Sequence, residues 1–136
     1  MDKATLYKEA FELSLNMLIE LPYQEVIEAA KAIGDYNEFN AHDLEKMMSM
    51  IDAIIPRKYY NEGNPNNGNR DYKISIGREG SMVLYYSIYK LYSEGTIKTI
   101  KRREEELKTI AEGVGKADEF NVYEEDNYLK IRIWWD

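Results

Sequence analysis

Residues 81–92 read SMVLYYSIYKLY, and the fold turns on them. Tyr85, Tyr86, Tyr89 and Tyr92, with Val83 and Ile88, favour an extended strand, because aromatic and β-branched side chains pack well on a pleated surface. In that strand Met82, Leu84, Tyr86 and Ile88 share one face, and Val83, Tyr85, Tyr89 and Leu91 share the other. A buried helix of the same length is the competing reading. A strand apolar on both faces predicts a homodimer or higher assembly, since a two-layer domain covers only one face of its sheet.

Just upstream, YKISI at 72–76 alternates as a strand should, and Gly77, Arg78, Glu79 and Gly80 read as the hairpin connection between the two. Downstream, Ile97, Ile100, Leu107 and Ile110 recur at helical spacing, which predicts a helix over 96–111. A second hairpin follows. Its first strand covers 120–123, its turn is Glu124-Glu125-Asp126-Asn127, and its last strand covers 128–135. There Leu129, Ile131, Ile133 and Trp135 face one way, while Tyr128, Lys130, Arg132 and Trp134 face the other.

The first part of the chain is helical by pattern. Over 4–20, Leu6, Ala10, Leu13 and Met17 form one stripe and Tyr7, Phe11, Ser14 and Leu18 the next, with Asp2 placed to cap the start. Pro22 opens a second helix carrying Val26, Ile27, Ala29, Ala30 and Ile33, and Gly34 ends it. Asn40 caps a third with Leu44, Met47, Met48, Ile51, Ile54 and Ile55 on one broad face, stopped by Pro56. Between the halves, NEGNPNNGNR at 61–70 can build no core and reads as a loop. The order ααα-ββ-α-ββ predicts an α+β fold: N-terminal helices packed on an antiparallel sheet of about four strands. The helical half (1–56) and the sheet-containing half (71–136) are each too small to be comfortable alone, so 1–136 reads as a single two-layer domain.

Composition excludes several chemistries. The 136 residues include no Cys and one His, His42, so thiol catalysis, disulfides and histidine-pair metal sites are ruled out. No catalytic constellation and no cofactor motif is present, and the reading is a non-enzymatic protein. No apolar run approaches the length of a membrane span and the acidic start is unlike a signal peptide, so the expected compartment is the cytoplasm.

Charge is segregated along the chain. Residues 1–50 carry 10 acids and 4 bases, residues 51–110 carry 8 and 11, and residues 111–136 carry 7 and 3, within a net charge of -7. Direct binding of nucleic acid is disfavoured by this balance. Two sites compete. Tyr128, Lys130, Arg132 and Trp134, with the hairpin acids Glu124, Glu125 and Asp126, have the composition of a protein-binding surface. Arg57, Lys58, Tyr60, Arg70, Lys73 and Arg78 form the alternative, an Arg/Tyr/Gly pocket for an anionic nucleotide-like ligand.

In size, charge and composition alone, the chain is similar to nuclease immunity proteins and to phage inhibitors of bacterial defence; no motif places it in a family. That similarity implies an acidic inhibitor, encoded by a bacterium or its phage, that occupies the basic nucleic-acid-binding site of a partner protein. The alternative function is an oligomeric sponge or sensor for the anionic small molecule.

Overall fold

The computed structural model describes residues 2–36, 38–55, 72–91 and 93–136. Its elements run α1 (Lys3–Leu13), β1 (Asn16–Glu20), α2 (Tyr23–Ile33), α3 (Ala41–Ile54), β2 (Tyr72–Glu79), β3 (Ser81–Tyr89), α4 (Glu94–Arg102), α5 (Glu104–Gly113), β4 (Glu119–Glu125) and β5 (Tyr128–Trp134). The five strands form one antiparallel sheet in the order β1-β2-β3-β5-β4. The helices pack on one face of it, giving an α+β fold with five strands where the pattern predicts about four. The loop expected at 61–70 lies outside the described residues.

The additional strand is β1. The pattern over 4–20 predicts one helix, but α1 ends at Leu13, Ser14 turns extended, and the chain pairs with β2. Leu13 and Met17 satisfy a helical stripe and Met17 and Ile19 satisfy a strand face, so periodicity alone cannot decide. Pairing decides it, with Met17 and Ile19 turned towards the helical core and Asn16, Leu18 and Glu20 turned away. In α1 the buried face is that of Tyr7 and Phe11, and Leu6 and Leu13 stay exposed.

The segment at 81–92 is resolved as a strand over Ser81–Tyr89, at the centre of the sheet. Its connection to β2 is tighter than the expected four-residue turn. Gly77, Arg78 and Glu79 belong to β2, Glu79 pairs with Ser81, and only Gly80, at φ +73, makes the reversal. Gly77 instead admits a close backbone approach: a Cβ there would sit 2.0 Å from the Met17 carbonyl oxygen. The second hairpin also turns more tightly than expected, at Asp126 and Asn127, because Glu124 and Glu125 extend β4.

The predicted helix over 96–111 is split at Arg103 into α4 and α5. Lys101 and Arg102 close α4, and Glu104, Glu105 and Glu106 open α5. Bases at a helix C-terminus followed at once by acids at an N-terminus suit both helix dipoles. Three helix-end signals act as read, while Pro22 stands at the N-cap of α2 and Pro56 lies outside the described residues. Asp2 accepts from the Thr5 N–H, Asn40 accepts from the N–H groups of His42 and Asp43, and Gly34 ends α2 at φ +77.

The core lies between the helices and the inner face of the sheet. Leu44, Met47, Met48 and Ile51 of α3 are buried with Ile74, Leu84, Tyr86, Ile131 and Ile133 of the strands. Trp135 is fully buried, its indole N–H donating to the Gly115 carbonyl at 2.7 Å and its ring edge-on to Phe39 at 5.3 Å. β3 is buried on its outer face as well, at Val83, Tyr85 and Ser87. Long side chains from β2 and β5 cover these positions, so their burial requires no second subunit.

Trp135→Ala empties a large buried site and is expected to cost about 3–5 kcal/mol, read as a fall in the urea midpoint at unchanged slope. Tyr86→Phe should be neutral or stabilising, by up to about 1 kcal/mol. The Tyr86 hydroxyl is buried with no hydrogen-bond partner among the described residues, and burial holds its pKa well above the ordinary tyrosine value.

Candidate functional site

Alternation along the strands assembles the outer face of the sheet. The register places Lys73, Ser75, Gly77 and Glu79 of β2 beside Val83, Tyr85, Ser87 and Tyr89 of β3. Trp134, Arg132, Lys130 and Tyr128 of β5 follow, and then Glu119, Asn121, Tyr123 and Glu125 of β4. No helix covers this face among the described residues. What fills it is a layer of long polar and aromatic side chains.

Glu79 is the hub of that layer. One carboxylate oxygen accepts from the Tyr85 hydroxyl at 2.7 Å and the other from Arg132 Nε at 2.9 Å. The Glu79 backbone carbonyl accepts from the Trp134 indole N–H at 2.9 Å. Since β3 lies between β2 and β5, both Arg132 and Trp134 reach across it to arrive at Glu79, which explains why Val83 has no exposed surface. Arg132 Nη1 donates to Glu119 at 2.9 Å, so this guanidinium is clamped between carboxylates from two strands. Partial burial disfavours its charge, but hydrogen bonds to Glu79 and Glu119 outweigh that and hold its pKa above the ordinary arginine value.

Tyr128 sits edge-on to Tyr89 at 5.4 Å, with Lys73 5.1 Å from its ring centre. Lys73 also reaches Glu20 at 3.9 Å, and Lys130 reaches Glu125 at 3.8 Å while lying 5.8 Å from the Tyr85 ring. The cations of the face are therefore each matched by a carboxylate. Strand positions on the outer face carry Glu20, Glu79, Glu119 and Glu125 against Lys73, Lys130 and Arg132, a slight acidic excess. Among the hairpin acids, Glu125 belongs to this face. Glu124 points to the other side and pairs with Lys101 of α4 at 3.3 Å, and Asp126 holds the turn at φ 55.

The expected anion pocket is not assembled by the residues that can be placed. Arg57, Lys58, Tyr60 and Arg70 lie outside the described residues. Lys73 and Arg78 sit at odd separation on one strand and project from opposite faces. Arg78, on the inner face, donates to the carbonyl oxygens of Phe11 at 3.0 Å, Ser14 at 3.5 Å and Gly80 at 3.1 Å, and to the Tyr36 hydroxyl at 2.6 Å. Its guanidinium lies 5.2 Å from the ring centres of both Phe11 and Tyr36. The 310 Å³ cleft beside it also carries Glu12 and Asp35, carboxylates that disfavour an anion.

Sequence reasoning missed Glu79, Tyr85, Glu119 and Tyr123. The available signal was strand parity, which places all four with Arg132. It also missed a 670 Å³ cleft between α2 and α3, lined by Tyr23, Gln24 and Ile27 of the one and His42, Lys46 and the exposed Met50 of the other. Among the described residues no His, Asp and Glu side chains gather as a metal site, and no helix is long and apolar enough to cross a membrane. Protein-family models, curated proteins and solved structures give no match to this chain.

Burial first, then hydrogen bonds with Glu79 and Tyr123, pushes the Tyr85 phenol far above its ordinary pKa. Burial also raises Tyr123, against the lowering effect of its bond to Tyr85. A phenol with a higher pKa folded than unfolded stabilises the fold below its unfolded value of about 10. That contribution is lost as pH rises from there through the folded value. Urea unfolding from about pH 8 to about pH 11 should therefore show stability falling in the upper part of the range. Tyr85→Phe should make the fall shallower.

Proposed function

We propose that this protein is a non-enzymatic, inhibitor-type binding protein whose outer sheet face docks on a partner protein. The observation that supports it most is the Glu79-centred layer, which holds Arg132, Trp134 and Tyr85 in fixed positions on a face that no described helix covers. Side chains already ordered before binding lose little entropy on association, and Tyr, Trp and Arg are the residues that carry most interface energy.

The charge of the face indicates the kind of partner. A surface in which every cation is paired and carboxylates are in excess repels phosphate and complements a basic surface. Residues 1–50 add 10 acids against 4 bases. The partner class that fits is a protein with a basic, nucleic-acid-binding groove, and the protein acts by occupying that groove. A bacterial or phage anti-defence or immunity role is one setting in which such competition is useful.

The competing reading, a sponge for an anionic nucleotide-like molecule, is weakened by the separation of Lys73 from Arg78 and by the engagement of Arg78 with main-chain carbonyls. Native mass spectrometry of the protein purified from its host distinguishes the two. Co-purification of a basic protein is expected, and a bound nucleotide without a protein partner would replace this reading by the sponge. With that partner in hand, affinity should fall as salt rises and Glu125→Lys should weaken binding further. Trp134→Ala should leave the fold intact and weaken binding by about 2 kcal/mol or more.

A further inference from the structure

β1 is an edge strand, and the direction of its backbone groups can be read from its bonds. The Leu15 carbonyl accepts from the Gly80 N–H, and the Leu21 N–H donates to the Ile74 carbonyl. Backbone groups alternate in direction along an antiparallel strand. Those of residues 15, 17, 19 and 21 therefore point to β2, and those of Asn16, Leu18 and Glu20 point away from the sheet. Among the described residues, no strand pairs with that outward row.

The two edges of the sheet are unlike. β4 carries exposed Glu119, Glu124 and Glu125, the usual protection of an edge against further pairing. β1 carries a single acid, Glu20, where β4 carries three; all four are paired with a base, so the edges differ in the number of charges and not in their pairing. In and beside β1 lie three of the most exposed apolar side chains in the described chain: Leu13 at 87%, Leu15 at 67% and Leu18 at 50%. An apolar edge with a single acid, whose outward backbone groups no described strand pairs with, is a pairing site unless something protects it. The Asn16 carbonyl accepts from the Ser14 hydroxyl at 2.7 Å and keeps a second lone pair for an incoming N–H.

We propose that β1 is a self-association edge, at which two copies of this chain pair antiparallel about a two-fold axis through Leu18. Self-complementarity favours a second copy as the occupant. Centred on Leu18, the pairing sets Asn16 of each copy opposite Glu20 of the other, so an amide meets a carboxylate and no like charges oppose. Shifting the axis to Glu20 would oppose two carboxylates, and shifting it to Asn16 would leave Glu20 without a facing residue in the strand. In the Leu18 register the outward groups of Asn16, Leu18 and Glu20 supply about six backbone hydrogen bonds. The Leu18 side chains meet on the outer face across the axis, and the two sheets become one of ten strands. An isologous contact of this kind closes at a dimer. The inference does not depend on what the outer face binds.

The chain has no native cysteine, so one introduced thiol reports cleanly. In the proposed register the two Leu18 residues form a hydrogen-bonded pair with Cα atoms about 5.5 Å apart, within the span of a disulfide. Sedimentation of the wild-type protein, up to concentrations of about 100 µM, should show a dimer of the 16.0 kDa chain. Leu18→Lys should sediment as a monomer with an unchanged circular dichroism spectrum. Leu18→Cys should oxidise to a covalent dimer, and Leu91→Cys, also exposed but far from β1, should not. If Leu18→Lys fails to fold, the cross-linking pair still decides. A wild-type monomer throughout the range overturns the proposal, as does a dimer that survives Leu18→Lys or equal cross-linking at both thiols. A monomer whose Leu18 amide is protected from hydrogen exchange also overturns it, because the edge would then be covered by its own chain.

Discussion

The pleat of β2 separates two consecutive charges, and much of the structure rests on that separation. Arg78 and Glu79 are neighbours in the chain, yet a strand turns successive side chains to opposite faces. Arg78 is driven under the sheet, where it bonds the carbonyl oxygens of Phe11 and Ser14 and so caps the end of α1. Glu79 is driven over it, where it collects Tyr85, Arg132 and Trp134. One dipeptide thereby anchors the first helix to one face and organises the exposed surface of the other. A one-residue slip of β2 would place a guanidinium among the outer cations and a carboxylate beneath the helices, so both ends of the dipeptide specify the same register.

The position of Arg78 also accounts for β1. The chain leaves α1 at Leu13, and the last carbonyls of a helix have no partner within it. By taking the Phe11 and Ser14 carbonyls, Arg78 satisfies this end at the place where the chain must turn back into a strand. Gly77, one residue earlier, has no Cβ and lets the Met17 backbone come close. The fifth strand thus depends on a long-range contact between residues more than sixty positions apart.

That dependence marks the limit of what was legible. β5 could be read because its alternation is unbroken from Tyr128 to Trp135, and α3 because Asn40 caps a long one-sided apolar stripe. β1 could not: five residues contain too few repeats to tell a period of 2 from one of 3.6, and Met17 satisfies both. The outer ladder of Tyr128, Lys130, Arg132 and Trp134 was legible as a face, but its organiser was not. Two glycines flanking Arg78-Glu79 gave the dipeptide the look of a turn, although Gly77 serves close packing and only Gly80 serves reversal. Grouping Lys73 with Arg78 failed for the same reason, since composition carries no information on which side of a sheet a residue lies.

The outer layer is better understood as a device for order than as a source of stability. Its ion pairs are partly exposed, and such pairs contribute little to folding, at most about 1 kcal/mol each. Their geometry nonetheless constrains the surface. Arg132 bonded to Glu79 and Glu119 cannot sample the conformations of a free surface arginine, and the Trp134 indole bonded to a backbone carbonyl is fixed in orientation. The same bonds lay both side chains over β3 and keep Val83 dry, so the apolar centre of the sheet is sealed by the groups that remain presented to solvent. In a two-layer fold the face away from the helices must be soluble and must still protect the strands beneath it. Here Tyr, Trp and paired charges meet both demands, and they leave a rigid amphipathic surface whose recognition properties follow from the way the sheet is covered.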